Sequence, residues 1–126
     1  MKPVAKVILG TVRGDFHDIG KNLVKMMMEG NGLEVVDLGV DVAPEAYVAA
    51  AKEHNADIIA CSALLTTTMA EMKNVVDLCV AEGIRENVKI MIGGAPITNE
   101  YCCEIGADAY TSDAATAAET AVSLLA

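Results

Sequence analysis

The chain is expected to form a single α/β domain around a doubly wound parallel sheet, and three observations predict this. Five short apolar runs alternate with segments of helical periodicity along the whole chain, the pattern of stacked βα units. The 126 residues suit one domain, since a typical domain has about 150. Hydrophobic residues make up 53% of the chain, which supplies a core and excludes disorder, and no stretch reads as a linker, repeat or low-complexity tract.

The first run, Val4 to Leu9, predicts a strand. After it, Ile19, Leu23, Met26 and Met27 recur at i, i+4, i+7 and i+8, which predicts a helix with this stripe turned inward and ended by Gly30 and Gly32. Val35 to Leu38 is the second strand. Pro44 opens the second helix, as suits a first helical turn, and Tyr47, Val48 and Ala51 are its inward face. Ile58 to Cys61 is the third strand. Met69, Met72, Val76 and Cys79 stripe a third helix, with Thr66, Thr67 and Thr68 as capping candidates. Val88 to Ile92 is the fourth strand, Asn99 to Ile105 a short helix before Gly106, and Ala109 to Tyr110 a weaker fifth strand. The last helix runs from Ala114 to Leu125 behind Asp113 or Ser112 as N-cap. Right-handed crossovers between parallel strands then favour the order 2-1-3-4-5, the flavodoxin-like and Rossmann-like arrangement.

Composition removes several classes of function. Nine Lys and Arg against eighteen Asp and Glu give a net charge of −9, which repels phosphate backbones and anionic lipids, so neither nucleic acid nor membrane is expected as a partner. Aromatic residues are only 3%, too few to stack flat bases. No apolar run approaches the ~18 to 20 residues of a membrane span, and the first residues lack a signal-peptide pattern, so a cytoplasmic location is expected. Cys61, Cys79, Cys102 and Cys103 form no C-x-x-C pair and are expected as reduced, buried thiols. The methionines at helical spacing are expected to fill the core.

In sheets of this kind ligands bind beyond the C-terminal edge, where the strand order reverses. The loop there, Gly10 to Gly20, is about twice the usual βα length of ~2 to 6 residues. It has neither the G-x-G-x-x-G nor the G-x-x-x-x-G-K-[ST] pattern of phosphate-binding loops. The third strand ends at Cys61-Ser62, where a phospho-receiver domain needs an acidic residue. What remains is Asp15-x-His17. Taken alone it reads more often as a solvated pair than as a ligand, but a metal-ligating imidazole usually donates its other N–H to a carboxylate, and Asp15 stands two residues away. A lone histidine cannot close a zinc site, which takes about four donors. A single protein ligand suits a metal whose other positions are filled by a macrocycle. His54 has no such setting and is expected at the surface. Ser62 and Leu64 follow the third strand, and Gly93-Gly94 follow the fourth, either as a plain turn or to let a ligand pass close to backbone. A Ser62 hydroxyl on Asp15 would extend a chain from serine to aspartate to histidine.

Together these residues resemble the cobalamin-binding fingerprint D-x-H-x-x-G, S-x-L, G-G, here Asp15-Phe16-His17-Asp18-Ile19-Gly20, Ser62-Ala63-Leu64 and Gly93-Gly94. The intervals are 41 residues (21 to 61) and 28 residues (65 to 92), and the likeness spans residues 1–126 as one domain. The resemblance implies a cobalamin or related cobamide, a cobalt corrinoid bound base-off and His-on, with His17 as the metal's lower axial ligand. Gly14 to Gly20 would form the loop under the corrin, including Asp15, Phe16, Asp18 and Ile19, and Thr66 would also touch it. Gly20, Ser62, Leu64, Gly93 and Gly94 would line or permit the slot for the nucleotide tail, and Ala114 would meet the tail's end. His17, Asp15 and Ser62 are the residues the resemblance implies for catalysis.

Within the family the blocks look most like the corrinoid proteins of methyltransferase systems and the cobalamin module of methionine synthase. That implies a methyl carrier cycling between methyl-cobalt(III) and cobalt(I), with little activity apart from its partners. These would be a methyl-donor methyltransferase, a methyl-acceptor methyltransferase loaded with a pterin or thiol, and a reductive activator. Because cobalt(I) prefers four coordination, the imidazole should leave the metal and take up a proton, which Asp15 and Ser62 would stabilise. Such proteins usually carry an upstream helical bundle over the corrin, yet the first strand here begins near Val4, so the chain is expected to be a fragment or to rely on a partner for that cover. The missing bundle keeps open an alternative, the small cobalamin-binding subunit of an adenosylcobalamin-dependent mutase. A corrinoid-holding sensor without turnover is a third reading.

Overall fold

The structure is a computed structural model that describes residues 5–125. Its centre is a five-stranded parallel sheet in the order β2-β1-β3-β4-β5, as expected. The strands are β1 (Lys6–Thr11), β2 (Glu34–Asp37), β3 (Ile58–Ser62), β4 (Lys89–Gly93) and β5 (Ala109–Thr111). The helices are α1 (Ile19–Gly30), α2 (Pro44–His54), α3 (Ala70–Ala81), α4 (Asn99–Ile105) and α5 (Ala114–Leu124), with a 3-10 turn at Thr66–Thr68. Val4 of the expected first strand lies outside the described residues.

Successive strand residues point to opposite faces of the sheet, so each strand feeds two cores. Val7, Leu9, Ile58, Ala60 and Met91 pack under α1 and α5 with Met28, Ala117, Ala118 and Ala121. Ile8, Ile59, Cys61, Ile90 and Ile92 pack under α2, α3 and α4 with Tyr47, Met72, Val76 and Cys102. Pro44 opens α2, Gly106 closes α4 in the left-handed region, and the Asp113 carboxylate accepts from Thr116 N to cap α5. No helix among the described residues is long and apolar enough to cross a membrane.

Four expectations need correction. Ile19, Leu23, Met26 and Met27 do not turn inward: they are 76, 49, 66 and 44% exposed. The buried residues of α1 are Lys21 and Met28. The Lys21 ammonium reaches both carboxylate oxygens of Asp37 at 2.8 Å, which turns that side of the helix to the sheet. Methionines therefore fill the core at positions 28, 72 and 91 but not at 26 and 27. The three threonines do not cap α3. They form the 3-10 turn, and Met69 stands at the N-cap with no side-chain bond. Cys61, Cys79 and Cys102 are buried thiols, but Cys103 is exposed. His54 is half-buried at the end of α2 rather than at the surface.

Candidate functional site

The loop between β1 and α1 is pinned at both ends. Thr11, 1% exposed at the end of β1, donates its hydroxyl to the His17 carbonyl at 2.8 Å. Gly14, at φ +85°, donates its N–H to Asp41 Oδ1 at 2.8 Å, and Asp41 N donates to the Asp15 carbonyl at 2.9 Å. Asp41 holds this clamp from the left-handed region at φ +53°, a conformation that short polar side chains tolerate. Neither stands out in the sequence: Thr11 is an ordinary strand-end residue, and Asp41 acts on a loop 27 residues away.

Held this way, the Asp15 side chain is fully buried and surrounded by donors. Its Oδ1 accepts from His17 N at 3.2 Å and faces His17 Nδ1 at 2.8 Å. Its Oδ2 accepts from Leu64 N at 2.7 Å, Leu65 N at 3.2 Å and Thr68 Oγ1 at 3.0 Å. Burial pushes the Asp15 pKa up. The hydrogen bonds outweigh it, Leu64 N first and then His17, and hold the carboxyl well below the usual carboxylate range. Asp15 is therefore an anion and can only accept. It follows that His17 Nδ1 carries a hydrogen, so that in the neutral ring Nε2 is the nitrogen with the free lone pair. The ring is about half exposed.

The hydroxyl on Asp15 belongs to Thr68, not to Ser62. Ser62 follows Ala60 by two residues and so faces α1 and α5, while the Asp15 carboxylate meets Thr68 beside the opposite core. Thr68 Oγ1 also lies 2.9 Å from the Leu65 carbonyl; its one hydrogen has two acceptors, of which the carboxylate is the stronger. A hydroxyl one short turn beyond Leu64-Leu65 was the available signal.

Between the sheet edge, α1 and α5 lies a cavity of about 600 Å³, within the range of about 300 to 1,000 Å³ of small-molecule sites. Leu9, Ala60, Met91, Val24, Met28 and Ala117 give it an apolar interior. Phe16, His17, Asp18, Ile19, Gly20, Ser62, Leu64, Gly93, Gly94 and Ala114, all singled out in the sequence, contribute to its walls. Asp15 stands behind His17. Gly14 and Thr66 do not line the cavity, and Thr66 is exposed on the 3-10 turn. The glycines differ in kind. A Cβ on Gly20 would meet no atom within 4 Å, so that position is open space. Gly94 sits at φ +131°, and a Cβ there would collide with the Ala63 carbonyl oxygen. The chain itself therefore demands glycine at 94, whatever ligand approaches.

The residues fit a macrocyclic metal cofactor with a tail. Among the described residues no group of three or more His, Cys, Asp or Glu gathers to enclose a bare ion. The donor is one imidazole with its far nitrogen held by an anion, beside a deep apolar slot.

Comparison with known proteins agrees. The family described as the B12 binding domain matches residues 5–122. The chain is 50% identical over 120 residues to dimethylamine corrinoid protein 1 of Methanosarcina acetivorans, a match covering 95% of this chain and 56% of that protein. It is 48% identical over 120 residues to the dimethylamine corrinoid protein of Methanosarcina barkeri, again 95% of this chain and 56% of the relative. The chain thus spans little more than half the length of these curated relatives. Among solved structures, a cobalamin-binding protein from Desulfitobacterium hafniense superposes with a TM-score of 0.94 at 40% identity, over 98% of this chain and 60% of that one. The Methanosarcina barkeri monomethylamine corrinoid protein gives 0.89 at 42% identity, over 94% and 57%. The signal receiver domain of the response regulator NarL from Mycobacterium tuberculosis, at 13% identity and a TM-score of 0.69 over 97% of this chain and 96% of that one, shares the fold alone. With Asp15, His17, Ser62, Leu64, Gly93 and Gly94 gathered at one sheet edge, the chain belongs to the B12-binding domain family.

Proposed function

We propose that this chain is the corrinoid-carrying module of a methyltransferase system, with His17 Nε2 as the lower axial ligand of cobalt and the corrinoid bound base-off. The observation behind this reading is the Asp15–His17 pair, in which a buried anion fixes the hydrogen on Nδ1 and leaves Nε2 available beside the cavity. Bound there, the corrinoid would supply a cobalt centre that accepts a methyl group from one partner and yields it to another.

The chain's own residues then have distinct tasks. Leu64 N, Leu65 N and Thr68 Oγ1 hold Asp15 ionised, and Asp15 holds the His17 ring by Nδ1. A proton taken up at Nε2 would be stabilised by the adjacent Asp15 carboxylate, which would link that uptake to the freeing of Nε2 from a metal. The apolar interior between α1 and α5 would accept the tail, with Ser62, Gly93 and Ala114 at its wall. The partners of this reading are a methyl-donor methyltransferase, a methyltransferase presenting a pterin or thiol acceptor, and a reductive activator. A further domain or a partner would cover the corrin's upper face, residues 1–126 serving as the cobalamin-binding domain.

Relatives named as dimethylamine corrinoid proteins, and a solved methanol:cobalamin methyltransferase complex at 33% identity and a TM-score of 0.90 over 95% of this chain and 46% of that one, support methyl transfer over the mutase alternative. The test is to load the protein with hydroxocobalamin, reduce it to the cobalt(II) state and record the electron paramagnetic resonance spectrum. A nitrogen splitting that changes when histidine is labelled with ¹⁵N in the wild-type protein, and a spectrum indifferent to that label in His17→Ala, are expected. A wild-type splitting that does not respond to the label removes His17 from the metal.

A further inference from the structure

Thr111, the last residue of β5, takes no part in the Asp15–His17 network. It is 7% exposed, it lines the cavity, and among the described residues its hydroxyl has no hydrogen-bond partner. Its oxygen is not sealed from solvent, so water in the cavity can serve it, and a ligand that fills the cavity and displaces that water must replace the bond.

The sheet register gives this hydroxyl a counterpart. Ser62 pairs with Gly93, and Gly93 pairs with Thr111, so the three stand in one row across β3, β4 and β5. All three line the cavity. The row reads hydroxyl, gap, hydroxyl. The Ser62 hydroxyl also has no partner among the described residues, whereas Thr11, next in the row, already donates to the His17 carbonyl. Two strand spacings put the outer residues roughly 10 Å apart. Hydrogen bonds of about 2.8 Å at either side leave roughly 4 to 5 Å between the atoms they reach, about the width of a fused bicyclic heteroaromatic ring.

We infer that Thr111 is a specificity-determining residue of this cavity, which selects a corrinoid whose tail base carries hydrogen-bonding atoms on both edges over one whose far edge carries only methyl groups. This rests on the corrinoid reading above and adds the class of base to it. A base with one polar edge satisfies one hydroxyl and leaves the other buried and unpaired. Loss of one such hydrogen bond corresponds to roughly a fivefold to tenfold weaker complex.

Two probes separate the cases: cobalamin, whose dimethylbenzimidazole presents methyl groups on its far edge, and the cobamide that carries adenine in its place. Dissociation constants come from titrating the whole chain and following the visible spectrum. The wild-type protein is expected to bind the adenine cobamide about fivefold or more tightly than cobalamin. Thr111→Val, nearly the same in shape, is expected to erase that preference, and Thr111→Ser to keep it. Equal binding by the wild-type protein, a preference for cobalamin, or a preference unchanged in Thr111→Val overturns the inference while the corrinoid reading stands. Binding of neither cobamide overturns both.

Discussion

Thr68 Oγ1 lies 3.0 Å from Asp15 Oδ2, while Ser62, only six residues earlier, presents its hydroxyl to the opposite face of the sheet. The two hydroxyls therefore have separable effects. Thr68→Val removes a donor from a buried anion and is expected to destabilise the cofactor-free protein by about 1.5 to 3 kcal/mol. Ser62→Ala touches no internal hydrogen bond among the described residues and should stay within about 0.5 kcal/mol of wild type. Urea denaturation of the two variants measures this, and equal losses would return Ser62 to the Asp15 network.

The parity of β3 was readable in principle, since Ser62 shares the face of Ala60 and Ile58. What hid the choice of hydroxyl was the turn after the strand, where Leu64 N and Leu65 N both aim at one carboxylate oxygen. Strand order and helix spans followed from apolar runs and breakers, because they depend on neighbours within a few residues. The facing of α1 did not. Ile19 and Leu23 belong to a cavity wall, which repeats with the same 3.6-residue period as a core-facing stripe. Lys21 is buried only because Asp37, sixteen residues away, receives it.

That pair predicts an asymmetry. Lys21 is 3% exposed at its side chain and Asp37 23%, with Lys25 at 4.0 Å and Gly39 N also on Asp37. Asp37→Ala leaves a buried ammonium with only the neutral Asn22 Oδ1 as acceptor and no counter-charge, and is expected to cost about 3 kcal/mol or more. Lys21→Met keeps the apolar volume and leaves a half-buried carboxylate with other partners, so its cost should be under about 2 kcal/mol. Thermal or chemical melts in parallel decide it, and equal costs contradict the asymmetric burial.

The pH dependence follows from Asp15 and Asp37. For both, burial raises the pKa. It is outweighed at Asp15 first by the Leu64 N–H, and at Asp37 first by the Lys21 ammonium, so both folded values lie below the ordinary one. A depressed carboxylate stabilises the fold fully above the unfolded pKa, about 3.9, and that contribution is lost as pH falls through the folded value. Stability should therefore decline as pH drops below about 4. Asp15→Asn should make the decline shallower while lowering stability at pH 7. A wild-type protein with the same denaturation midpoint at pH 3 and pH 7 would contradict this.

Gly20 and Gly94 give the sharpest contrast between what the fold requires and what the cavity requires. Gly94 has positive φ and no room for a Cβ, so Gly94→Ala must both strain the backbone and displace the Ala63 carbonyl. A loss of about 3 kcal/mol or more is expected, or failure to fold. Gly20 lies in the first turn of α1 with open space where a Cβ would go. Gly20→Ala should leave the cofactor-free protein as stable or up to about 1 kcal/mol more so, since alanine costs less to order in a helix. The added methyl projects beside the cavity, so the same variant should bind hydroxocobalamin several-fold more weakly. A Gly20→Ala protein that is more stable and binds as tightly as wild type would show that the space beside residue 20 is not where the corrinoid lies.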